Sequence, residues 1–335
     1  MDAVPHTTVH LPISWEEITC RCGAYLNVRL YRGENEVAAT QHPLPCNILT
    51  EEKQPPVELT QDGQNIYASG EGFRYTFSKH YGVFTSLVVD GAEQLAGKPV
   101  LSACRAPTDN DRDIRFRWLQ LNEWQGENLD KASVKTYDCW IENNTIVVSG
   151  SLSGISRAPL LRFGQKIEIA QDGQITITLR GTVRQDAIWL PRLGFEWELP
   201  GEAQDFTYYG NGPAESYRDM CHAGYIGLHK SDVSSEYVHY VRPQEHGNHT
   251  SAKLLRIGKL EFRSNDMEIQ VSRYSTVALL KAEHTDELTA DGKTHLRTDY
   301  KVSGIGSNSC GPELEKPYRL SEKEIDFTVS IRPII

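Results

Sequence analysis

Runs in which apolar and polar residues alternate recur along this chain of 335 residues. The two clearest, at 167–169 and 175–179, flank the dipeptide Asp172-Gly173. Successive side chains of a strand point to opposite faces, so alternation gives each strand one buried and one solvated face. An Asp-Gly pair between two such runs is typical of a β-hairpin. The sequence therefore predicts antiparallel strands as its main local structure.

The same pattern extends over most of the chain. Further alternating runs occupy residues 73–77, 87–89, 145–148, 260–262, 267–271 and 325–331. Helical periodicity is confined to two short candidates, around 115–123 and 276–284. Repeated β-α units are absent from the pattern, which excludes a complete eightfold α/β barrel. The predicted fold class is all-β, as a large antiparallel sandwich.

Charge and composition restrict the ligands and the compartment. The formal net charge is −10, without a basic stripe, which argues against nucleic acid and anionic membranes. No run approaches the ~20 apolar residues of a membrane span, and the first residues lack the features of a secretory signal. Seven scattered cysteines favour reduced thiols. We expect a cytoplasmic protein with a neutral ligand.

A polar segment divides the chain. Residues 51–60 contain EEKQ followed by Pro55-Pro56, and we assign them as a linker. Residues 1–50 offer few strands, with 25–31 the clearest and 37–40 weaker. So small a sheet buries little apolar surface. We expect it to be part of an incomplete sandwich or to lean on the main domain, residues 61–335.

One loop concentrates carboxylates. Glycoside hydrolysis needs two of them, roughly 5–5.5 Å apart in retaining enzymes or about 6.5–9.5 Å in inverting ones. A calcium loop is disfavoured because the expected glycine and later glutamate are missing. Two hypotheses stay open: a loop that contacts sugar, and an Asx-rich turn held by arginine ion pairs. The candidate residues of this loop are Arg105, Asp109, Asn110, Asp111, Arg112 and Asp113.

Other polar or aromatic groups are interpreted as structural. His246 and His249 lack a third ligand in register for zinc, so we predict polar loop residues. His284 is predicted to be a buried, satisfied histidine. The segment YGNGP at 209–213 predicts a tight turn, with Arg218 and Asp219 nearby as scaffold. Sugar stacking is possible for four tryptophans, but the commoner role is core packing, and we predict it for Trp118, Trp124, Trp189 and Trp197.

Six motifs resemble the C-terminal domain of family-two glycoside hydrolases of the β-galactosidase type. They stand in the family's order: RAPTDND at 105–111, LPRLG at 190–194, YGNGPAESYRD at 209–219, PQEHGN at 243–248, AEH at 282–284 with Leu288, and GIGSNSCGP at 304–312. The resemblance covers about residues 60–335. Residues 1–50 resemble only the latter half of the small immunoglobulin-like domain that precedes this domain in the family.

The resemblance implies a large β supersandwich of the galactose mutarotase-like kind. In the family this domain packs against a catalytic barrel and completes the mouth of a site that hydrolyses terminal β-D-galactosides such as lactose. The family's two catalytic glutamates lie in the barrel, so we name no catalytic residue on this chain. We expect no cofactor here, with Mg and Na possible in the complete enzyme. The expected partner is a barrel-bearing chain or domain.

The resemblance also implies a site at the rim of the active site. The segment 306–310 matches a family loop that contacts the sugar beyond the scissile bond, so Asn308, Ser309 and Cys310 are the rim candidates. Some members carry Trp where this chain has Cys310, and a thiol offers less stacking surface. The segment after Asp111 resembles a mobile loop, in which members often have Gly where this chain has Asp113.

A second class of protein stays open. A stand-alone carbohydrate-binding or aldose mutarotase-like protein would also use a β sandwich. Mutarotation needs a general acid and a general base on one concave face. The sequence offers no such pair of His and Glu that we can assign.

Overall fold

The structure is a computed structural model that describes residues 6–50, 53–121, 124–202, 204–306 and 310–335. Its internal contacts divide the chain into two compact units, Met1–Glu52 and Lys53–Ile335. None of the helices in the described ranges is long and apolar enough to cross a membrane.

The first unit is a small sheet structure. Its strands are β1 (Thr19–Cys20), β2 (Ala24–Arg32), β3 (Asn35–Leu44) and β4 (Asn47–Ile48). β2 and β3 pair antiparallel, and β1 pairs parallel with β4. Several large apolar side chains on the hairpin are 42–62% exposed, namely Val28, Leu30, Tyr31 and Val37. Taken by itself, this sheet buries little apolar surface, as its length suggests.

The second unit carries the remaining strands. They are β5 (Thr60–Gln61), β6 (Asn65–Gly70), β7 (Phe73–Ser78), β8 (Val83–Val89), β9 (Ala92–Glu93), β10 (Val100–Ser102), β11 (Gln120–Leu121), β12 (Trp124–Gln125), β13 (Ser133–Glu142), β14 (Thr145–Ser153), β15 (Leu161–Ile169), β16 (Ile175–Val183), β17 (Arg192–Pro200), β18 (Asp205–Gly212), β19 (Tyr225–Asp232), β20 (Asn248–Ile257), β21 (Leu260–Ser272), β22 (Lys293–Val302) and β23 (Glu324–Pro333). The two α-helices are α1 (Arg115–Trp118) and α2 (Thr276–Lys281). Single 3-10 turns occupy Asp109–Asp111, Leu129–Lys131, Thr285–Glu287 and Lys316–Tyr318.

Two sheets dominate this unit. Strands β5 to β9 form a five-stranded meander. The larger sheet runs in the order β10-β17-β22-β21-β23-β16-β15-β14-β13, and β20 connects its β21 to β18 and β19. The strand pairs described in both sheets are antiparallel. One continuous apolar cluster includes Phe77 and Phe84 from the meander and Trp197 and Phe262 from the larger sheet. The predicted all-β antiparallel sandwich is confirmed.

The β15–β16 hairpin shows how local sequence produces this fold. Burial alternates residue by residue along β15. The connecting Gly173 has φ +81°, a conformation that side chains with a Cβ rarely adopt. The carboxylate of Asp172 accepts a hydrogen bond from the backbone N–H of Gln174 at 3.1 Å. The predicted hairpin at Asp172-Gly173 is therefore confirmed.

The segment predicted as a tight turn at 209–213 is instead mostly strand. β18 extends to Gly212, and the Gly212–Pro213 peptide is cis. The glycines serve close approach: a Cβ at Gly210 would lie 3.0 Å from the Ala252 Cα, and one at Gly212 would lie 2.1 Å from the Tyr208 hydroxyl oxygen. The prediction of a turn was wrong because a glycine can be needed for close packing or for a turn. The sequence alone does not distinguish these two roles.

The two predicted helices are present but shorter than their sequence patterns. α1 ends at Trp118, because Leu119 is extended (φ −107°, ψ 167°) and β11 begins immediately afterwards. α2 begins after Ser275, whose hydroxyl accepts the Ala278 N–H at 3.1 Å. The separately predicted runs 260–262 and 267–271 form one strand, β21.

Candidate functional site

Four segments that are far apart in sequence meet in the second unit. They are residues 105–113, 215–219, 242–249 and 303–306, which we call the loop cluster. Backbone contacts already join two of them, because the Glu245 N–H donates to the Ala106 carbonyl at 3.1 Å. The Gly247 N–H donates to the Glu215 carboxylate at 2.8 Å. Four of the sequence motifs are thus neighbours in space.

A buried ion pair holds the first segment. Arg105 and Asp111 are 0% and 4% exposed, and the Arg105 Nη2 lies 2.7 Å from the Asp111 Oδ1. The same guanidinium donates to the carbonyls of Ser303 at 2.6 Å and Gly304 at 3.1 Å. Asp111 also accepts the Thr108 N–H at 2.9 Å. These two residues therefore join segments 105–113 and 303–306, and both are too buried to touch a ligand in this conformation.

Two further contacts fix the loop between them. The Asp109 N–H donates to the Gln244 side-chain oxygen at 2.8 Å. The Asn110 side chain donates to the Ile305 carbonyl at 2.6 Å. Asp109, Arg112 and Asp113 remain exposed. Their predicted contact with sugar stays a prediction, and they are the residues of this loop that a ligand could reach.

Asp219 secures the segment that leads toward the predicted rim. Its carboxylate accepts the N–H groups of Ile305 at 3.0 Å and Gly306 at 2.6 Å. A Cβ at Gly304 would lie 2.5 Å from the Asp219 Cγ, and one at Gly306 would lie 2.8 Å from its Oδ2. The glycines of the GIGSNSCGP motif therefore make room for a carboxylate. Sequence analysis gave Asp219 a scaffold role without identifying this partner.

Arg218 also binds another part of the fold. Its Nε donates to Glu268 at 3.2 Å. Glu268 in turn accepts the Asn248 side chain at 2.8 Å and the Val302 N–H at 3.1 Å. Burial raises the pKa of Glu268, opposed by Arg218 and these donors. The network ties β20, β21 and β22 to the loop cluster.

A second buried arginine occupies the centre of the cluster. Arg192 is fully buried and donates to both carboxylate oxygens of Glu245 at 3.0 Å and to Asp299 at 3.0 Å. Burial by itself lowers the pKa of the Arg192 guanidinium, but the charges of Asp299 and Glu245 raise it more, so its pKa lies above the ordinary value. Because both carboxylates bind the same buried cation, they do not form an open catalytic pair.

The two histidines of the PQEHGNH stretch are buried. His246 lies in a loop, as predicted, whereas the prediction of a loop residue was wrong for His249. His249 lies on β20, and its Nε2 is 2.7 Å from a Glu236 oxygen. His246 donates from Nδ1 to the Gln244 carbonyl at 2.8 Å. Their polar atoms have specific partners, which makes burial tolerable. Among the described residues, no group of three or more His, Cys, Asp or Glu side chains could hold a metal ion.

His284 also differs from its prediction as a buried histidine. Its side chain is 71% exposed and lies 3.0 Å from a Glu287 oxygen. This hydrogen bond raises the pKa of His284. The physical reason is that α2 ends at Lys281, so position 284 falls on an exposed turn.

Three of the four tryptophans predicted to pack in the core do so, namely Trp118, Trp189 and Trp197. Trp118 and Trp189 pack edge to face with ring centroids 4.6 Å apart, and the Trp118 Nε1 donates to the Trp189 carbonyl at 2.8 Å. Trp197 is 1% exposed. The Trp124 side chain lies outside the described part of the chain. Trp118 thereby anchors α1 beside the 105–113 loop.

The predicted rim is only partly described. Asn308 and Ser309 lie outside the described residues, whereas Cys310 is exposed. The role of these three residues at a sugar site stays a prediction.

A pocket of about 430 Å³ opens beside the loop cluster. Of the residues that the structure describes, three arginines and a single acidic residue, Asp109, contribute to its lining. We call it the arginine pocket, lined by Pro107, Thr108, Asp109, Arg112, Arg115, Leu119, Leu121, Arg242, Pro243, Leu279 and Leu280.

The fold and the loop cluster define a class of protein. It is a large antiparallel β sandwich in which buried ion pairs hold together the loops of one site. The carboxylates of those pairs are bound to arginine side chains. Residues 69–331 match the family described as Beta galactosidase small chain. The chain belongs to that family, as the six motifs predicted.

Its relatives are longer proteins. The chain is 30% identical to the Beta-galactosidase of Actinobacillus pleuropneumoniae over 338 residues, which covers 96% of this chain and 33% of that protein. It is 29% identical to the Beta-galactosidase of Staphylococcus xylosus over 284 residues, which covers 82% of this chain and 28% of that protein. The chain thus spans about a third of the length of these relatives.

A solved structure of galactose 1-epimerase from Lactobacillus acidophilus NCFM can be superposed on this chain with a TM-score of 0.40 and 10% sequence identity. The alignment covers 92% of this chain and 98% of the epimerase chain. The mutarotase-like character of the sandwich stays a prediction.

Proposed function

We propose that this chain is the small-chain portion of a β-galactosidase and completes the mouth of its active site. The catalytic glutamates belong to a barrel-bearing chain or domain, and the substrates are terminal β-D-galactosides such as lactose. The observation that carries this proposal is the family match over residues 69–331 together with relatives about three times as long.

The loop cluster supports the proposal physically. Hydrolysis gains when a site excludes bulk water and holds the second sugar in place. Loops can do this only if they are held in a defined position, and here two buried arginines and Asp219 provide that support. A sandwich built in this way contributes to catalysis without supplying the reacting carboxylates.

The proposal extends to cofactors and compartment. We propose a cytoplasmic enzyme, and we assign any Mg or Na of the complete enzyme to the barrel-bearing part. This chain then needs no metal for its own folding, so exhaustive treatment with a chelator should leave its melting temperature unchanged.

The test is reconstitution of activity with nitrophenyl β-galactoside. We expect no turnover by the purified chain and turnover at ordinary enzyme rates, about 1–10³ s⁻¹, after co-expression with a barrel-bearing β-galactosidase chain that lacks this segment. The same barrel-bearing chain alone is the control. Turnover by the isolated chain contradicts the proposal. The proposal is also contradicted if the two chains co-purify and co-expression still gives no more turnover than the barrel-bearing chain alone. Accelerated interconversion of galactose anomers by the isolated chain would support the stand-alone alternative instead.

A further inference from the structure

The arginine pocket concentrates positive charge on an acidic chain. Among its described lining residues are Arg112, Arg115 and Arg242 and one carboxylate, that of Asp109, whereas the whole chain has a formal net charge of −10. Such a local reversal of sign attracts anions over short range. The charge pattern of the sequence does not reveal it, because Arg242 is more than a hundred residues from the other two.

Within the described part of the chain, these three arginines differ from the other arginines of the site in having no counter-ion. Arg105 and Arg192 are bound to buried carboxylates. Among the described residues, Arg112, Arg115 and Arg242 form no ion pair. The Nε of Arg115 is buried and lacks a hydrogen-bond partner. A buried donor without an acceptor is costly, and a bound acceptor would satisfy it.

The remaining lining suits a carbon body attached to the acidic group. Leu119 and Leu279 are buried side chains on the pocket wall, with Pro107 and Pro243 beside them. A volume of about 430 Å³ lies in the range of small-molecule sites, roughly 300–1,000 Å³. Guanidinium groups bind carboxylate, sulfate and phosphate oxygens through paired N–H donors.

The walls of the pocket are held in place before any ligand binds. Asp109 is fixed through its backbone to Gln244, and Trp118 anchors the helix that carries Arg115. Leu279 lies on α2, whose first turn is capped by Ser275. A site whose walls are already in place loses less conformational entropy when a ligand binds.

We infer that the arginine pocket binds a small organic acid, with its acidic group on Arg112, Arg115 and Arg242 and its carbon body against the leucine and proline walls. Binding of such an acid is an activity other than galactoside hydrolysis, and the inference does not rest on the proposed function, although Asp109 and Arg112 also belong to the predicted active-site loop. The concave shape favours a small molecule over an acidic protein segment.

The test is calorimetric titration of the purified chain with benzoate, with benzamide as the neutral compound of the same shape. We expect saturable binding of benzoate, weakened by salt because charges are screened, and no saturation by benzamide. Inorganic phosphate at equal ionic strength carries the negative charge without an apolar body. We expect it to bind more weakly than benzoate, which would show that the apolar walls contribute to binding.

The variant Arg112→Gln/Arg242→Gln should weaken benzoate binding about tenfold or more, as expected for lost charge-assisted hydrogen bonds. Both side chains are exposed, so the melting temperature should not change. The matched control is Arg74→Gln, which removes an exposed arginine of β7 that does not line the pocket. The inference is overturned if benzoate and benzamide bind equally well, or if Arg74→Gln loses as much benzoate affinity as the double variant. Tighter binding of an oligoglutamate peptide than of benzoate would also overturn it.

Discussion

Gly304 shows how one half-buried carboxylate, that of Asp219, restricts its neighbours. Asp219 accepts two consecutive backbone N–H groups, those of Ile305 and Gly306. It can approach so closely only because position 304 has no side chain, since a Cβ there would lie within 2.6 Å of both carboxylate oxygens. The glycine is thus required by space and not by backbone conformation.

The variant Gly304→Ala should lower the free energy of unfolding by about 1–3 kcal/mol, because Asp219 must move and lose its hydrogen bonds. Urea denaturation followed by circular dichroism measures the change. Gly311→Ala is the matched control: its added Cβ meets no atom within 4 Å, so we expect a change below about 0.5 kcal/mol. If Gly304→Ala is no more destabilising than Gly311→Ala, the assigned role of Gly304 is wrong.

At the level of elements, the segment from 105 to 118 depends on side-chain anchors. It contains a single 3-10 turn and the four-residue α1, and helices this short are not stable alone. The ion pair of Arg105 with Asp111 and the packing of Trp118 on Trp189 hold it on the sandwich. Its order therefore comes from tertiary contacts.

Asp111→Asn should release this segment, because the buried Arg105 charge loses its counter-ion. Removal of one partner of a buried pair typically costs about 3–5 kcal/mol. We expect faster amide hydrogen exchange across residues 105–119, with little change in the β15–β16 hairpin. Asp113→Asn, which alters an exposed neighbour, is the control. Unchanged exchange in the Asp111 variant would show that the ion pair does not hold the loop.

For the whole molecule, buried ionisable groups affect stability in opposite directions. Burial lowers the pKa of His229, which stacks on Tyr208 with ring centroids 5.1 Å apart. Burial raises the pKa of Glu268. A histidine with a lowered pKa stabilises the fold above its unfolded pKa of about 6.5 and loses that contribution as the pH falls. A carboxyl group with a raised pKa has the opposite effect.

Comparison of the wild-type chain with the variant His229→Gln separates the contribution of His229 from that of Glu268. We expect the stability advantage of the wild-type chain over His229→Gln to be largest above about pH 7.5 and to shrink as the pH falls through about 6.5. The groups present in both proteins cancel in this difference. Melting temperatures of the two proteins between pH 8 and 5.5 provide the measurement. A difference that is constant over this range would contradict the assignment of a neutral, buried His229.

The sequence by itself determined the fold class, many of its strands and, through its motifs, the family to which the chain belongs. Alternation is a local property: the face to which a side chain points depends on its own strand, so β15, β16 and β23 could be predicted from their own residues. The motifs also identified the four segments that meet in the loop cluster, although not the contacts between them.

Only the tertiary structure decided which polar residues are partners. Arg192 meets Asp299 because β17 lies beside β22, and it meets Glu245 because the 242–249 segment crosses the same place. The arginine pocket likewise joins α1, α2 and the segment at Arg242. No local pattern encodes such contacts, since they depend on strand order and on how loops cross the finished sheet.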